Sequence, residues 1–135
     1  LAPFECLCGN FILPEPASYV FFYAFSNLRN LLYIIPASRP VIAAKRDNMD
    51  EYDTIFVGFP IWWYIAPTII NTFLESYNLK GKTVITFATS GGSGMGKTNE
   101  KLTPSCPGAK LLHGKVFNSY SSKADLSACV ETISL

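Results

Sequence analysis

The chain has 135 residues, 49% of them hydrophobic and 16% charged, so it is long enough to bury one core and too apolar to be generally disordered. Its net charge of +1 argues against binding to nucleic acid or to an acidic membrane surface. The four cysteines form no C-x-x-C pair and, with a single histidine, no recognisable zinc site, so we expect one cytoplasmic domain over residues 1–135 with reduced thiols and no metal.

The N-terminal region is difficult to assign because prolines interrupt it repeatedly. The apolar run 17–35 approaches membrane-spanning length, but it contains Arg29, and a charge costs about 2.5–3.5 kcal/mol at the centre of a spanning helix, which favours buried strands. Residues 19–25 and 31–35 both have strand composition, with five residues between them. A parallel pair needs a crossover of about a dozen residues or more. The two runs therefore form a hairpin, belong to different elements or form one helix.

A buried strand is predicted over residues 54–59, TIFVGF, because β-branched and aromatic residues run without interruption up to Pro60. The next residues, IWWYIAP, are predicted to form a loop. A helix is then predicted over residues 67–77, since Pro67 suits the first helical position. The apolar side chains of this segment recur at helical spacing and give it one apolar face: Ile69, Ile70, Phe73, Leu74 and Tyr77.

The second half of the chain continues this alternation of strands and helices. Residues 83–89, TVITFAT, are predicted to be a second buried strand, and residues 110–117, KLLHGKVF, a third strand with a kink at Gly114. A short helix is predicted over residues 97–103 and a closing helix over residues 123–133. Ser122 and Asp125, at the start of the closing helix, have a pattern close to a capping box. The apolar face of this helix towards the core is formed by Leu126, Val130 and Ile133.

Strands that alternate with helices predict an α/β fold with a parallel sheet covered by helices on both faces. The uninterrupted apolar strands agree with burial on both faces. In such sheets ligands bind at the carboxyl ends of the strands. Two loops lie at that edge and are candidates for the functional site: residues 60–64 and residues 90–96.

The second of these loops matches the pattern G-x-x-x-x-G-K-[ST] from Gly91 to Thr98, which is the phosphate-binding loop of nucleotide triphosphatases. Such an enzyme also needs an aspartate at the end of another apolar strand to help hold magnesium, and no predicted strand ends in one. A glycine-rich loop satisfies half of the pattern by composition alone, so a chance match is easily obtained. We therefore expect no ATP binding and interpret Lys97 as a surface lysine.

Each of the two loops carries a motif. The first has G-x-P-I-W-W at Gly58–Trp63 and then Ala66–Pro67, and the second has T-S-G-G-S-G at Thr89–Gly94. Taken together, these loops resemble those of the flavodoxin family. The paired loops, in this order and separated by a helix and a strand, are more specific than either loop alone. The resemblance begins weakly at residue 38 and continues through the last helix. It implies a flavodoxin-like three-layer sandwich with FMN as the cofactor.

In this resemblance the flavin ring lies between the two loops, and neither loop supplies a catalytic side chain. A large flat ring needs an apolar slot, an aromatic face and backbone groups directed at its polar edge. Adjacent tryptophans at a strand end and glycines without a Cβ suit those needs, although such tryptophans are also typical of a core plug or an interface patch. The implied FMN-binding residues are Pro60, Ile61, Trp62, Trp63 and Tyr64 in the first loop and Thr89, Ser90, Gly91, Gly92, Ser93 and Gly94 in the second.

The N-terminal region departs from the family pattern. Flavodoxins bind the FMN phosphate through a hydroxyl-rich loop, broadly S-x-T-G-x-T, after their first strand. The nearest stretch here is FSNLRNL at residues 25–31, in which only Ser26 matches. Arg29 is a candidate substitute, as a positive charge near the phosphate. We therefore expect residues 1–37 to be truncated, rearranged or divergent.

The resemblance implies FMN-dependent electron transfer to a redox partner protein or to a small-molecule electron acceptor. The near-neutral charge departs from the acidic carriers of the family. The first alternative is a flavin-dependent NAD(P)H or quinone reductase of the same fold, which needs an open slot beside the ring. The second is a protein without a redox role, either a truncated relative that keeps the fold without a cofactor or a subunit that completes its sheet with a partner.

Overall fold

A computed structural model describes residues 19–23, 37–42, 45–118 and 121–132, and for residues 19–23 it describes the backbone alone. Its centre is one sheet of four parallel strands, in the order β1-β2-β3-β4. The strands are β1 (Tyr19–Tyr23), β2 (Thr54–Pro60), β3 (Thr83–Thr89) and β4 (Lys110–Phe117). The three strands predicted with clear boundaries are thus confirmed, and a fourth joins them.

Three α-helices lie at the predicted positions, with ends that differ from the prediction by two residues at most. They are α1 (Ile69–Glu75), α2 (Thr98–Leu102) and α3 (Lys123–Thr132). A 3-10 turn precedes β2 at Met49–Glu51, and another at Thr103–Ser105 continues α2. Among the described residues, no helix is both long and apolar enough to cross a membrane.

The strand order determines where the helices pack. Each strand lies beside the previous one, so right-handed crossovers place α1 and α2 on the same face of the sheet. Phe56 and Ile85, on the opposite face, are only 2% and 1% exposed, so both faces are buried. The predicted α/β class with a parallel sheet is therefore confirmed. The main core on the helical face contains Ile55, Val57, Phe59, Ile69, Ile70, Phe73, Leu74, Val84, Ala88 and Leu102.

Strand β1 shows that the N-terminal region contributes to the sheet. It pairs with β2 in parallel, and its last residue, Tyr23, lies opposite Gly58. Of the interpretations left open for residues 19–25, a single helix is therefore wrong. Pairing with a segment distant in the chain determines this strand, so local composition was not sufficient to assign it. Residues 31–35 and Ser26 and Arg29 lie outside the described residues.

Strand β4 contains a bulge at its predicted kink. Thr86 pairs with His113 but Ala88 pairs with Val116, so β4 has one residue more than β3 between these pairs. Gly114 lies at this point, and a Cβ there would collide with the carbonyl oxygen of Thr86. The close approach of the two backbones therefore requires glycine.

The closing helix begins with the capping box that the sequence predicts. The Ser122 N–H donates to the carboxylate of Asp125 at 2.6 Å, and the Asp125 N–H donates to the Ser122 hydroxyl oxygen at 3.3 Å. Hydrogen bonds from the Ser122 N–H and hydroxyl hold the pKa of Asp125 below its usual range. The residues predicted to face the core from this helix lie outside the described side chains: Leu126, Val130 and Ile133.

Candidate functional site

The two candidate loops leave the sheet side by side at its carboxyl edge. Pro60, the last residue of β2, pairs with Thr89, the last residue of β3. The Ile61 N–H donates to the carbonyl oxygen of Thr89 at 2.9 Å, and the Ser90 N–H donates to that of Phe117 at 3.0 Å. Both loops are therefore attached to the ends of neighbouring parallel strands, the position where ligands bind in α/β sheets.

Residues 62–65 form a tight reverse turn, which we call the aromatic turn. Trp62 and Ile65 exchange two backbone hydrogen bonds, of 2.9 and 3.1 Å. Between them, Trp63 and Tyr64 have φ angles of 51° and 68°, the left-handed region required at both central positions of a type I′ turn. Asn and Gly usually occupy these positions, and a residue held in such a conformation costs about 1–3 kcal/mol. The predicted loop is thus a strained hairpin turn.

The aromatic side chains at this edge differ in exposure. Trp62 is half-buried and packs against the hydrophobic core, whereas Trp63 is 77% exposed and Tyr64 is 70% exposed. The interpretation of the tryptophan pair as a core plug therefore applies to Trp62 and not to Trp63. Pro60 and Ile61 are also half-buried, so the open aromatic surface belongs to Trp63 and Tyr64.

One hydroxyl shapes the glycine loop, residues 90–96. The Ser90 side-chain oxygen accepts hydrogen bonds from the N–H groups of Gly92 at 3.2 Å and Ser93 at 2.8 Å. Its hydroxyl lies 3.1 Å from that of Ser93. All four glycines of the loop are exposed, and at three of them a Cβ would find nothing within 4 Å among the described residues: Gly91, Gly92 and Gly94. The loop therefore presents an open backbone surface.

The two loops touch at Gly96. This residue has a φ of +52°, and a Cβ on it would lie 2.8 Å from the carbonyl oxygen of Tyr64. Its neighbour Met95 packs against the hydrophobic core. Gly96 lies in the candidate loop 90–96 that the sequence predicts, but the residues predicted to bind FMN ended at Gly94 and did not include it. The structure thus brings the residues of both predicted loops to one edge and joins the loops by an unpredicted contact.

The geometry after the glycine loop does not suit a magnesium–triphosphate group. In a phosphate-binding loop the final Ser or Thr hydroxyl binds magnesium. Here Thr98 is fully buried, and its hydroxyl oxygen has no hydrogen-bond partner within the described part of the chain. The helix that follows, α2, has only five residues, so few peptide dipoles align towards a phosphate. Lys97 is exposed, as expected of a surface lysine.

The two loops carry little charge. Lys97, directly after the glycine loop, is the one charged residue in these loops or adjoining them in the sequence. The described residues with shifted pKa values lie elsewhere in the chain. Besides Asp125 in the capping box, they are Glu75, whose pKa the Arg39 guanidinium lowers, and the Cys106 and Cys129 thiols, whose pKa burial raises. The loops offer aromatic surface and backbone N–H groups, which suits the binding of a flat, weakly charged ring.

Comparisons with known proteins agree with this arrangement. A model of the flavodoxin family matches residues 32–133, more than half of the chain. A protein of Bacteroides eggerthii, provisionally assigned as a flavoprotein, has a crystal structure that matches with a TM-score of 0.66 and 40% identity, over 75% of this chain and 63% of that one. The crystal structure of a Bacteroides uniformis protein with the same assignment matches with a TM-score of 0.66 and 42% identity, over 73% of this chain and 62% of that one. No protein with a curated description matches the chain.

The chain spans less than two thirds of the length of each of these two structures. The family match covers β2, β3, β4 and both loops. The family and the structural likeness together support a flavin-related function. Since the match extends over the whole candidate site and the strands that hold it, the chain belongs to the flavodoxin family.

Proposed function

We propose that this chain binds FMN and transfers electrons. The observation that carries the proposal is the meeting of an exposed aromatic turn with an open glycine loop at the carboxyl edge of the sheet. A flavin ring needs an aromatic face and a close approach to backbone polar groups. Trp63 offers the first, and the glycine loop offers the second because no Cβ projects from its exposed glycines. The described residues therefore fit the ring.

Each part of the site has a role in holding the ring. Trp63 would stack on it, because Trp62 is committed to the core, and such stacking is worth about 0.5–1.5 kcal/mol beyond the burial of area. The glycine-loop backbone would face the polar edge of the ring. Thr89 and Ser90 would fix the base of that loop, the first by pairing with β2 and the second by its hydrogen bonds.

FMN, when bound, supplies the redox chemistry, because its ring system accepts and releases electrons. The chain binds the ring, orients it and excludes water from the side that it covers. Backbone N–H groups directed at the ring favour added negative charge there and so raise its electron affinity. Neither loop contains an acid or base that must react, so the protein acts through position and electrostatics.

The proposed partner is a redox protein or a small-molecule electron acceptor in the cytoplasm. Trp63 and Tyr64 would form part of the contact, since they are large hydrophobic side chains that the described part of this edge leaves exposed. The net charge is only +1, so long-range attraction contributes little to the encounter. We therefore expect the rate of electron transfer to change little with ionic strength.

The direct test uses the purified chain and FMN. We expect quenching of the flavin and tryptophan fluorescence on mixing, reversible reduction by dithionite, and reoxidation by an added one-electron acceptor such as ferricyanide. A chain that binds neither FMN nor riboflavin, even at a flavin concentration of about 1 mM, would refute the proposal. Bound flavin that is reduced but not reoxidised by any acceptor would refute the electron-transfer part alone.

A flavin-dependent NAD(P)H or quinone reductase is the second candidate. The exposure of Tyr64, 70%, favours it, because this side of the site is open to a second flat substrate. Steady-state oxidation of NADH or NADPH with a quinone acceptor separates the two functions. Turnover identifies a reductase, whereas electron exchange with protein or inorganic acceptors in the absence of turnover identifies a carrier.

A further inference from the structure

We infer that Gly96 is a positioning residue, whose backbone holds the aromatic turn in place beside the glycine loop. The three atoms nearest to a Cβ on Gly96 all belong to Tyr64: the carbonyl oxygen at 2.8 Å, the Cβ at 3.6 Å and the carbonyl carbon at 3.7 Å. Ordinary van der Waals contact begins at 3.4 Å. Any residue other than glycine at this position would therefore push the backbone of the turn away.

The aromatic turn needs such a contact because its tip is exposed and strained. Trp62 anchors one side of the turn in the core, but Trp63 and Tyr64 are exposed and have left-handed φ angles. A strained backbone persists only where the surrounding contacts determine it. The hydrogen bonds between Trp62 and Ile65 close the turn without directing it towards the glycine loop. The contact with Gly96 supplies that direction.

This contact also explains a feature of the sequence that phosphate binding does not. Gly96 occupies the second glycine position of the triphosphatase pattern, but the Thr98 hydroxyl that should serve magnesium is buried. A φ of +52° and the close approach of Tyr64 are sufficient reasons for glycine at this position. The match to the pattern thus arises from two loops that must touch.

The effect of Gly96 on the cofactor rests on the proposed function, whereas the contact itself does not. When the Tyr64 backbone retreats, Trp63 moves with it, because the two residues are adjacent at the tip of one turn. The aromatic face then leaves its place beside the open glycines. Gly96 acts in this way through Tyr64 and does not have to touch the flavin.

Gly96→Ala tests the inference, and Gly81→Ala is the matched control. Gly81 also has a left-handed φ, +79°, but a Cβ there would find nothing within 4 Å among the described residues. It lies just before β3, at the opposite edge of the sheet. The control therefore carries the backbone cost without the contact. We expect both variants to lose stability in urea, but only Gly96→Ala to raise the dissociation constant of FMN, by about threefold to tenfold, the size of one lost stacking contact.

A second measurement on the same variants does not need flavin. The chain has two tryptophans, so its nitrogen–proton NMR spectrum contains two indole signals. Gly96→Ala should shift the signal of Trp63, and Gly81→Ala should shift neither. Unchanged indole signals in Gly96→Ala, together with an FMN affinity equal to that of the control, would overturn the inference. If the unmodified chain bound no FMN, the proposed function would fail, and the indole signals alone would decide the inference.

Tyr64→Gly keeps the inference testable if Gly96→Ala does not fold. A glycine at position 64 adopts the left-handed conformation without strain and lets its carbonyl oxygen move. The double variant should then recover the fold. Contacting residues show coupled effects on stability, so the cost of Gly96→Ala should be smaller in the Tyr64→Gly background. An equal cost in both backgrounds would contradict the contact that we infer.

Discussion

The side-chain oxygen of Ser90 accepts a hydrogen bond of 2.8 Å from the backbone N–H of Ser93, and this bond sets the course of the glycine loop. Ser90→Ala removes the acceptor and leaves the loop N–H groups to solvent. We expect the dissociation constant of FMN to rise about threefold to tenfold, since one hydrogen bond contributes about 0.5–1.5 kcal/mol. Fluorescence titration measures the change. Ser90→Thr keeps the hydroxyl, and an affinity as low as that of the alanine variant would contradict this role.

The two tryptophans should separate binding from stability. Trp63→Ala removes an exposed side chain. We therefore expect the free energy of unfolding, measured in urea, to change by less than about 0.5 kcal/mol, while flavin binding weakens. Trp62→Ala removes a side chain that packs against the core, so we expect a loss of about 1–3 kcal/mol of stability. Equal effects of the two variants on both measurements would show that the division of roles is wrong.

Gly92→Val should remove flavin binding and leave the fold nearly intact. A Cβ at Gly92 meets nothing within 4 Å in the described part of the chain, so a valine there projects into the space proposed for the ring. Gly114→Val is the contrasting variant, because its Cβ would collide with the carbonyl oxygen of Thr86. Thermal unfolding with and without FMN distinguishes them. If Gly92→Val unfolds as easily as Gly114→Val, the glycine serves the loop conformation and not the ligand.

Glu75 should stabilise the fold at neutral pH and lose this stabilising effect at acid pH. Its carboxylate accepts hydrogen bonds from the Arg39 guanidinium and the Ser105 hydroxyl, both at 2.8 Å, and the bond from Arg39 is the main reason that its pKa is lowered. A lowered folded-state pKa stabilises the fold above the unfolded-state pKa of about 4.3, and this stabilisation is lost as the pH falls through the folded-state value.

We therefore expect Glu75→Gln to be less stable than the unmodified chain at pH 7, by about 0.2–1 kcal/mol because the pair is partly exposed. The difference should shrink as the pH falls from about 5 to below 4. Urea unfolding at several pH values measures it, and Glu100→Gln, at an exposed position on α2, is the control. A difference that stays constant over this range would exclude the ionised pair as its cause.

FMN should bind with little preference over riboflavin. The phosphate motif of the family is missing from residues 25–31, where only Ser26 matches it. Each charge-assisted hydrogen bond to a phosphate contributes about 1.5–3 kcal/mol, so loss of two or three weakens binding by several powers of ten. Parallel titrations with the two flavins test this. FMN binding far tighter than riboflavin would reveal a substitute phosphate site, and loss of that preference in Arg29→Ala would assign it.

The strands and helices from β2 onward were predictable from their apolar patterns. Burial of the sheet on both faces gives continuous apolar strands, and burial of one helix face gives apolar residues at helical spacing. The predicted strand 54–59 is a continuous run rich in β-branched and aromatic residues that ends at Pro60, and Gly81 separates the helix α1 from the next strand, β3. Strand β1 could not be placed, since its partner lies far along the chain and prolines obscure its limits. The position of the site at the strand ends followed from the fold class and not from any single residue.

The conformation of the aromatic turn could not be predicted from sequence patterns. Bulky residues such as Trp63 and Tyr64 avoid the left-handed region in isolation, so their local preferences predict a different conformation. The contact with Gly96, which lies 32 residues after Tyr64 in the numbering of the chain, helps to hold them there. The structure places the two loops that carry the eleven residues proposed for the flavin at one edge of the sheet, and the contact of these residues with FMN stays a prediction.

The bulge in β4 changes which positions of that strand face the core. Before the bulge an odd-numbered residue, Leu111, packs against the core, and after it an even-numbered one, Val116, does so. Removal of one residue at the bulge would still leave Phe117 opposite Thr89, because the two strands would then advance equally between their pairs. The Phe117 carbonyl oxygen that binds the Ser90 N–H would keep its place. The backbone hydrogen bond that holds the start of the glycine loop therefore does not depend on the extra residue of the bulge.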